Sequence, residues 1–374
     1  MEIVEKEFDM HQDSMNVPLP TPEEQAELND MYAQMDQMHM KPLWNQIGNL
    51  MPEHPTPEAV PYKWDWSTLH KLAERSGELV PVGRGGERRA IGLANPGLHG
   101  ETHVAPTLWA AIQYLAPGEN APEHRHSQNA FRFVIEGEGV WTVVNGDATP
   151  MRRGDFLLTP GWNFHGHHNI ASEPMAWLDG LDIPFQYKMD TGFFEFGTEH
   201  LTDEATPETS RSERLWAHPG LRPLAFPGAK PSSPIGRYAW EHTDAALRDQ
   251  LALEDAGFAG VVSPGHAAIR FSNPSTGGDV MQTIRAEFHR LRAGASTLPI
   301  HEVGNRVFQV FEGSATIVID EKPFEINHGD VVVVPSWKKW HLEAGSEGAD
   351  LFCFSDFPIF EKLNLFRSYS PEGI

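Results

Sequence analysis

Arg153-Gly-Asp-Phe-Leu-Leu-Thr-Pro160 is a tight turn that runs into a short apolar strand, and His328-Gly-Asp-Val-Val-Val-Val-Pro335 is the same device again. The Gly-Asp pair makes the turn, the residues after it read as a buried strand, and proline ends it. Trp162 and Trp337 follow at matching places. On the amino-terminal side, Leu115-Ala-Pro-Gly118 recurs as Leu291-Arg-Ala-Gly294, and Val134-Ile-Glu-Gly137 as Val310-Phe-Glu-Gly313. Further out, the segment Arg88 to Pro96 recurs as His266 to Pro274, and Asp182-Ile-Pro184 as Asp356-Phe-Pro358. The offset stays between 174 and 178 residues throughout. One such match is chance; five in order at one offset are a duplication. Val140 to Val144 alternates aromatic and β-branched side chains and stops at Asn145-Gly146, a hairpin signal, and Ala315 to Ile319 stops at Asp320-Glu321. Short strands cut by glycine and proline predict a mainly β chain, each copy an antiparallel sandwich or barrel.

The 374 residues suit two domains of about 100–200 residues each. Forty per cent hydrophobic residues are enough for substantial cores. With 29 Lys and Arg against 52 Asp and Glu, the formal charge of −23 repels phosphate backbones and anionic lipid. Nucleic acid and membranes are therefore not the expected partners. A lone cysteine, Cys353, excludes an intrachain disulfide and suits a reducing compartment. No stretch reaches the ~20 apolar residues of a membrane span, and the acidic amino terminus does not read as a signal peptide. A soluble, cytoplasmic protein is expected. Outside the repeat, residues 21–53 are acidic, Met-rich and helical in period, with Thr21 as the helix start. A second helix is expected near Asp244 to Ala256. The expected partition is a helical extension over 1–75, the first repeat over 76–186, a helical connection over 187–262 and the second repeat over 263–374. The helical additions are expected to pack on the barrels or on another subunit, the methionines as ordinary core.

The chemistry gathers in the first copy, in Pro122-Glu-His124-Arg-His126 and Trp162-Asn-Phe-His165-Gly-His167-His168. Histidines two apart on a strand share a face, so His124 and His126 can reach one ion. His165 follows 41 residues after His124, beyond a strand pair and the Gly-Asp turn, where a return strand brings it opposite. An HxH pair alone is more often a hydrogen-bonded surface pair than a metal site. The third histidine and the surrounding Gly/Pro framework tip the reading to a metal. Three imidazoles leave up to three positions open on an octahedral ion, an arrangement suited to substrate and dioxygen chemistry at iron.

Gly118, His124, His126, Gly137, Gly154-Asp155, Pro160 and His165 resemble the two cupin motifs, and their duplication resembles a bicupin. The usual glutamate ligand would stand seven residues before Gly137, where Ala130 is found. A three-histidine bicupin of this length is similar to the gentisate 1,2-dioxygenase family, with its salicylate and 1-hydroxy-2-naphthoate relatives. The strings from Pro122 to Gly139 and from Gly154 to His165 carry the likeness, which spans roughly residues 20 to 365. The resemblance implies two β-barrel, jelly-roll cupin domains in tandem, with helical amino-terminal and inter-domain segments. It implies one Fe(II) per subunit on His124, His126 and His165, chelated by the carboxylate and adjacent hydroxyl oxygens of a small aromatic hydroxy acid. The ring would open with dioxygen between the carboxyl- and hydroxyl-bearing carbons, giving maleylpyruvate from gentisate in aromatic catabolism. Carried over position by position, Arg88 and Arg132 would hold the carboxylate, and Trp109 and Gln113 would face the ring. His167 would act as an acid–base group, and Asp179 would accept from the 5-hydroxyl or orient His167. The resemblance further implies a homo-oligomer, a homotetramer.

In the second copy His301 corresponds to His124 and His341 to His165, but the second histidine of the HxH is Val303. Arg132, Trp109, Gln113 and Asp179 fall opposite Phe308, Arg285, His289 and Cys353. Catalysis is therefore expected in the first copy alone. The two remaining histidines could still hold a second metal, with Glu302, Asn305, Gln309 or water completing its shell; otherwise the second copy is a structural barrel. Three other readings compete. The substrate can be salicylate or 1-hydroxy-2-naphthoate. The protein can be a non-oxidative metal-dependent isomerase or hydrolase with Zn or Mn, which would consume no oxygen. It can be a storage-type bicupin, which would usually have lost the metal histidines that this first copy keeps.

Overall fold

Thr21 starts the first helix, α1 (Pro22–Gln37), by a reciprocal cap. Its hydroxyl accepts the Glu24 N–H, and the Glu24 carboxylate accepts the Thr21 N–H at 2.7 Å, satisfying orphan donors of the first turn. No residue of α1 is buried within the chain itself. This helix belongs to a unit spanning Met1–Thr56; Pro57–Ile374 form the second compact unit. The computed structural model describes residues 19–81, 89–197 and 207–369. Among them no helix is long and apolar enough to cross a membrane.

The second unit begins with β1 (Tyr62–Trp64), α2 (Trp66–Leu79), β2 (Ala90–Gly92), β3 (Trp109–Leu115) and β4 (Asn120–His126). The first copy continues through β5 (Ala130–Glu136), β6 (Glu138–Val144), β7 (Asp147–Arg152), β8 (Phe156–Thr159), β9 (His165–Asn169) and β10 (Met175–Leu181). Then come β11 (Phe194–Phe196), α3 (Arg211–Trp216), β12 (Arg237–Tyr238) and α4 (Trp240–Asp255). The second copy holds β13 (His266–Arg270), β14 (Arg285–Leu291), β15 (Arg306–Ile319), β16 (Lys322–Asn327), β17 (Val331–Val334) and β18 (Trp340–Ser355).

The first copy is two facing antiparallel sheets, ordered β12-β8-β5-β10-β3-β2 and β11-β4-β9-β6-β7. The second copy repeats the first of these orders as β1-β17-β15-β18-β14-β13, with β16 on β15. Its β15 and β18 are 14 and 16 residues long and bend from one layer to the other, where the register breaks near Gly313. Mainly β structure in two copies is as expected, with layered sheets in place of fully closed barrels.

Within 187–262, expected as a helical connection, the structure adds strands β11 and β12. Strand β1 likewise lies inside the stretch expected as a helical extension. These short strands cross over. β1 precedes the first copy yet pairs with β17 of the second, and β12 precedes the second copy yet pairs with β8 of the first. A tryptophan follows each. The Trp66 N–H bonds Asp330 Oδ1 at 2.8 Å, and the Trp240 N–H bonds Asp155 Oδ1 at 2.9 Å. The indoles lie over Gly329 and Gly154, whose φ values are +84° and +85°. A Cβ on Gly329 would stand 2.0 Å from the Trp66 ring. Gly329→Ala combines left-handed strain with overpacking and should destabilise the fold by about 2–4 kcal/mol in urea unfolding. A change under about 1 kcal/mol would show that this contact yields freely.

The two six-stranded layers face each other across the copies. Phe133 stacks on Phe352 at 4.3 Å and 4°, Phe131 packs edge-on to Phe354 at 4.8 Å, and Phe156 lies 4.6 Å from Phe271. Strand β5 is thus buried on both sides, aromatic toward the other copy and bearing Arg132 and Val134 toward its own interior. That explains its near-continuous apolar run.

Candidate metal centre

Strand pairing places His124 directly opposite His165, on β4 and β9. His126 shares the face of His124, while Arg125 between them turns outward to Glu195 of β11, Nε to Oε1 2.6 Å. The rings gather closely: His124 to His165 4.2 Å, His126 to His165 4.9 Å, His124 to His126 5.8 Å between centroids. All three are buried, and their ligand atoms lie within 4.8 Å of one another. Each ring commits Nδ1 to a backbone carbonyl: His124 to Pro122 at 3.0 Å, His126 to Gln128 at 2.9 Å, His165 to Asn163 at 2.9 Å. Donation there orients each ring with its Nε2 side inward, as in a metal-ligating histidine. Nε2 of His165 is buried without a hydrogen-bond partner. Burial, then Arg132 and the two neighbouring imidazoles, hold His165 well below the usual imidazole range, so it is neutral. Three nitrogen donors converging on one point, one of them otherwise unsatisfied among the described residues, fit a divalent transition metal.

The six-stranded layer supplies the polar interior. Asp179 on β10 stands opposite Arg132 on one side and Ala111 on the other, so all three share the inner face. Arg132 is buried, its Nη1 donates to Thr159 Oγ1, and its Nε lies 3.5 Å from Asp179 Oδ1. The Trp177 indole N–H donates to the same Asp179 oxygen at 3.1 Å. Trp109 and Gln113, two residues either side of Ala111 on β3, belong to this face and are half-buried. His167 is buried, 6.4 Å from the His165 ring and 5.5 Å from Trp177. Arg88 lies outside the described residues.

Sequence reasoning missed the aromatic edge of the site. β11 pairs with β4 so that Phe194 stands opposite His126 and Phe196 opposite His124. Phe194 lies 5.5 Å from the His124 ring and, with His126, Gln128, Leu181 and Phe193, lines an open cavity of about 350 Å³. Phe-Glu-Phe does alternate as a strand should, but three residues are too few to announce one. Trp177 was also missed, although two residues from Asp179 on a strand means one face. In the second copy His301 packs on Trp337 at 4.5 Å and Tyr369 at 5.0 Å, and His341 bonds Glu343 at 3.2 Å. Among the described residues, neither belongs to a group of three or more potential ligands.

Residues 111–181, which carry all three histidines, Arg132 and Asp179, match the Cupin domain family. A gentisate 1,2-dioxygenase of Streptomyces sp is 58% identical over 351 residues, 93% of this chain and 98% of its own length. The chain belongs to the gentisate 1,2-dioxygenase family. A family member from Aquipseudomonas alcaligenes, gentisate 1,2 dioxygenase 1, is 34% identical over 342 residues, 91% of this chain and 96% of its own. The crystal structure of a salicylate 1,2-dioxygenase from Pseudoaminobacter salicylatoxidans, described as adducts with gentisate, superposes with a TM-score of 0.90 at 60% identity. That match covers 94% of this chain and 95% of the other. The chain is thus a bicupin dioxygenase, and its three converging histidines, which could hold a metal ion, sit in the first copy.

Proposed function

We propose that this dioxygenase opens gentisate between its carboxyl- and 2-hydroxyl-bearing carbons, using Fe(II) on His124, His126 and His165, and yields maleylpyruvate. The observation that carries the proposal is the pairing of three converging imidazoles with a buried guanidinium in one interior. The overall change balances without an external reductant: one ring carbon–carbon bond breaks, and both atoms of dioxygen end in the product. When bound, the iron supplies Lewis acidity and a path for electrons between ring and dioxygen.

The chain's own residues do the rest. Arg132, pinned by Thr159, would take the substrate carboxylate through a fork of N–H donors, against the acidic background of the whole protein. Asp179 is already engaged through Oδ1 by Trp177 and Arg132. It would accept a bond from the 5-hydroxyl of gentisate or orient His167. His167 would hold the proton of the 2-hydroxyl while the ring is oxidised. Trp109 and Gln113 would face the ring and its substituents, with Arg88 a second anchor for the carboxylate. Phe193 and Phe194 would keep bulk water from the metal face. A homotetramer is the assembly inferred from the family likeness, working in the cytoplasm; light scattering in solution tests the subunit count.

Oxygen uptake by anaerobically Fe(II)-loaded protein decides the reaction, measured in parallel with gentisate, salicylate and 1-hydroxy-2-naphthoate. Uptake should be greatest with gentisate. No uptake with any of the three would sink the proposal. Arg132→Met should raise the KM for gentisate more than it lowers kcat. A charge-assisted hydrogen bond contributes about 1.5–3 kcal/mol, or on the order of 10–100-fold. A KM unchanged within about threefold would remove Arg132 from substrate binding.

A further inference from the structure

Apart from Phe308, opposite Arg132, the interior of the second copy is polar at the positions where the first copy holds its proposed substrate-facing set. Glu287 on β14 stands opposite Cys353 on β18, as Ala111 stands opposite Asp179. His289, two residues along, turns to the same face. The carboxylate, imidazole and thiol offer ligand atoms within 4.8 Å of one another, and His289 Nε2 lies 4.0 Å from Glu287 Oε2. From these contacts we infer that the second copy holds a zinc-type divalent metal on Glu287, His289 and Cys353, distinct from the three-histidine centre.

Three observations carry this. First, Nε2 of His289 is buried and has no hydrogen-bond partner, although it points into the cluster. Its other nitrogen, Nδ1, meets His266 Nε2 at 3.0 Å. Donation from Nδ1 to His266 is the outer hydrogen bond that orients a metal-ligating imidazole and frees Nε2 as the lone pair. Second, the donor chemistry is that of zinc: one thiolate, one imidazole and one carboxylate, with a fourth position for solvent. Tetrahedral bonds of about 2.0–2.3 Å set donor atoms roughly 3.3–3.8 Å apart, so the three side chains draw together by up to about 1 Å when the ion binds. Third, the charges balance. Arg306 donates to Glu287 at 2.7 Å and to Glu302 at 2.8 Å in the same buried cluster. With Cys353 as thiolate, three negative charges meet the two of the ion and the one of Arg306. Binding forms a metal–sulfur bond and releases the thiol proton to solvent.

Because Cys353 is the chain's single cysteine, the test is unambiguous. The full-length protein is stripped of metal under reducing conditions and titrated with Co²⁺. The three-histidine centre contains no sulfur, so a near-ultraviolet thiolate-to-cobalt charge-transfer band can arise only at Cys353. The band should appear in the wild type and persist in His124→Ala. It should vanish in Cys353→Ser and in His289→Gln, with bound cobalt falling from two equivalents to one. Cobalt bound at one equivalent with no such band in the folded wild type would overturn the inference. A band that survives His289→Gln would overturn the ligand set. The persistence of the band in His124→Ala separates this site from the catalytic reading, which can fail without it.

Discussion

His124→Ala is expected to lose its catalytic metal and, with it, more than about 100-fold of ring-opening activity. Loss of an outer partner in a metal site costs about 10–100-fold in affinity or activity, and removal of a ligand itself exceeds that. The geometry makes the site hard to rescue. His165 Nε2 would remain buried opposite a methyl group, and Ala130 offers no carboxylate in place of the missing donor. Metal analysis and oxygen uptake on the same preparation measure both losses. His301→Ala makes the contrast: its ring packs on Trp337 and Tyr369, outside any three-ligand group among the described residues. That variant should keep the metal of the first copy and lose only part of its activity. Equal and complete loss in both variants, with folding intact, would refute the placement of the chemistry in the first copy.

Arg237→Met should be the most destabilising of the substitutions considered. Arg237 is almost fully buried and joins two buried carboxylates, Asp155 at 3.1 Å and Glu213 at 2.8 Å. Asp155 lies in the Gly-Asp turn beneath Trp240, and Glu213 completes the cap of α3. Removing the cation leaves both charges uncompensated in the interior, a loss of about 3–5 kcal/mol. Urea midpoints at neutral pH measure it, and a loss below about 1 kcal/mol would show that these charges reach solvent. The deficit should shrink in acid. Burial already pushes the Asp155 carboxyl from its ordinary 3.8 up to about 6, even with Arg237 in place. A carboxyl raised on folding binds its proton more readily in the native state, so its contribution falls as pH rises from near 3.8 through about 6. Without Arg237 that window extends upward. The variant should therefore lie closer to the wild type at pH 5 than at pH 8.

Much of this was legible in the sequence because it rests on local rules. The duplication survives as turn residues, Gly154-Asp155 and Gly329-Asp330, whose left-handed glycines tolerate little change. The metal triad is legible because strand geometry fixes His124 and His126 on one face, and only the third ligand needs tertiary folding. What escaped depends on distant partners. Tyr62–Trp64 and Arg237–Tyr238 are three and two residues long, too short for any periodicity, and become strands only because β17 and β8 present open edges. Phe194 joins the site for the same reason. The Glu287, His289 and Cys353 cluster was hidden because its members are 2 and 64 residues apart, with no spacing motif. The sequence comparison placed Cys353 opposite Asp179, yet only the sheet register shows both facing inward.

The crossing of β1 and β12 bears on ancestry. A single-copy forerunner with this architecture would lack a strand to complete its own six-stranded layer, and would carry one that fits only a twin. Such a chain is complete as a twofold homodimer with reciprocal donation, an isologous contact closed by symmetry. With both twins in one polypeptide, identity is no longer required. One half can then carry Val303 and Phe308 in place of an imidazole and a guanidinium while still lending Arg237 and Tyr238 to the sheet that faces the other half's histidines.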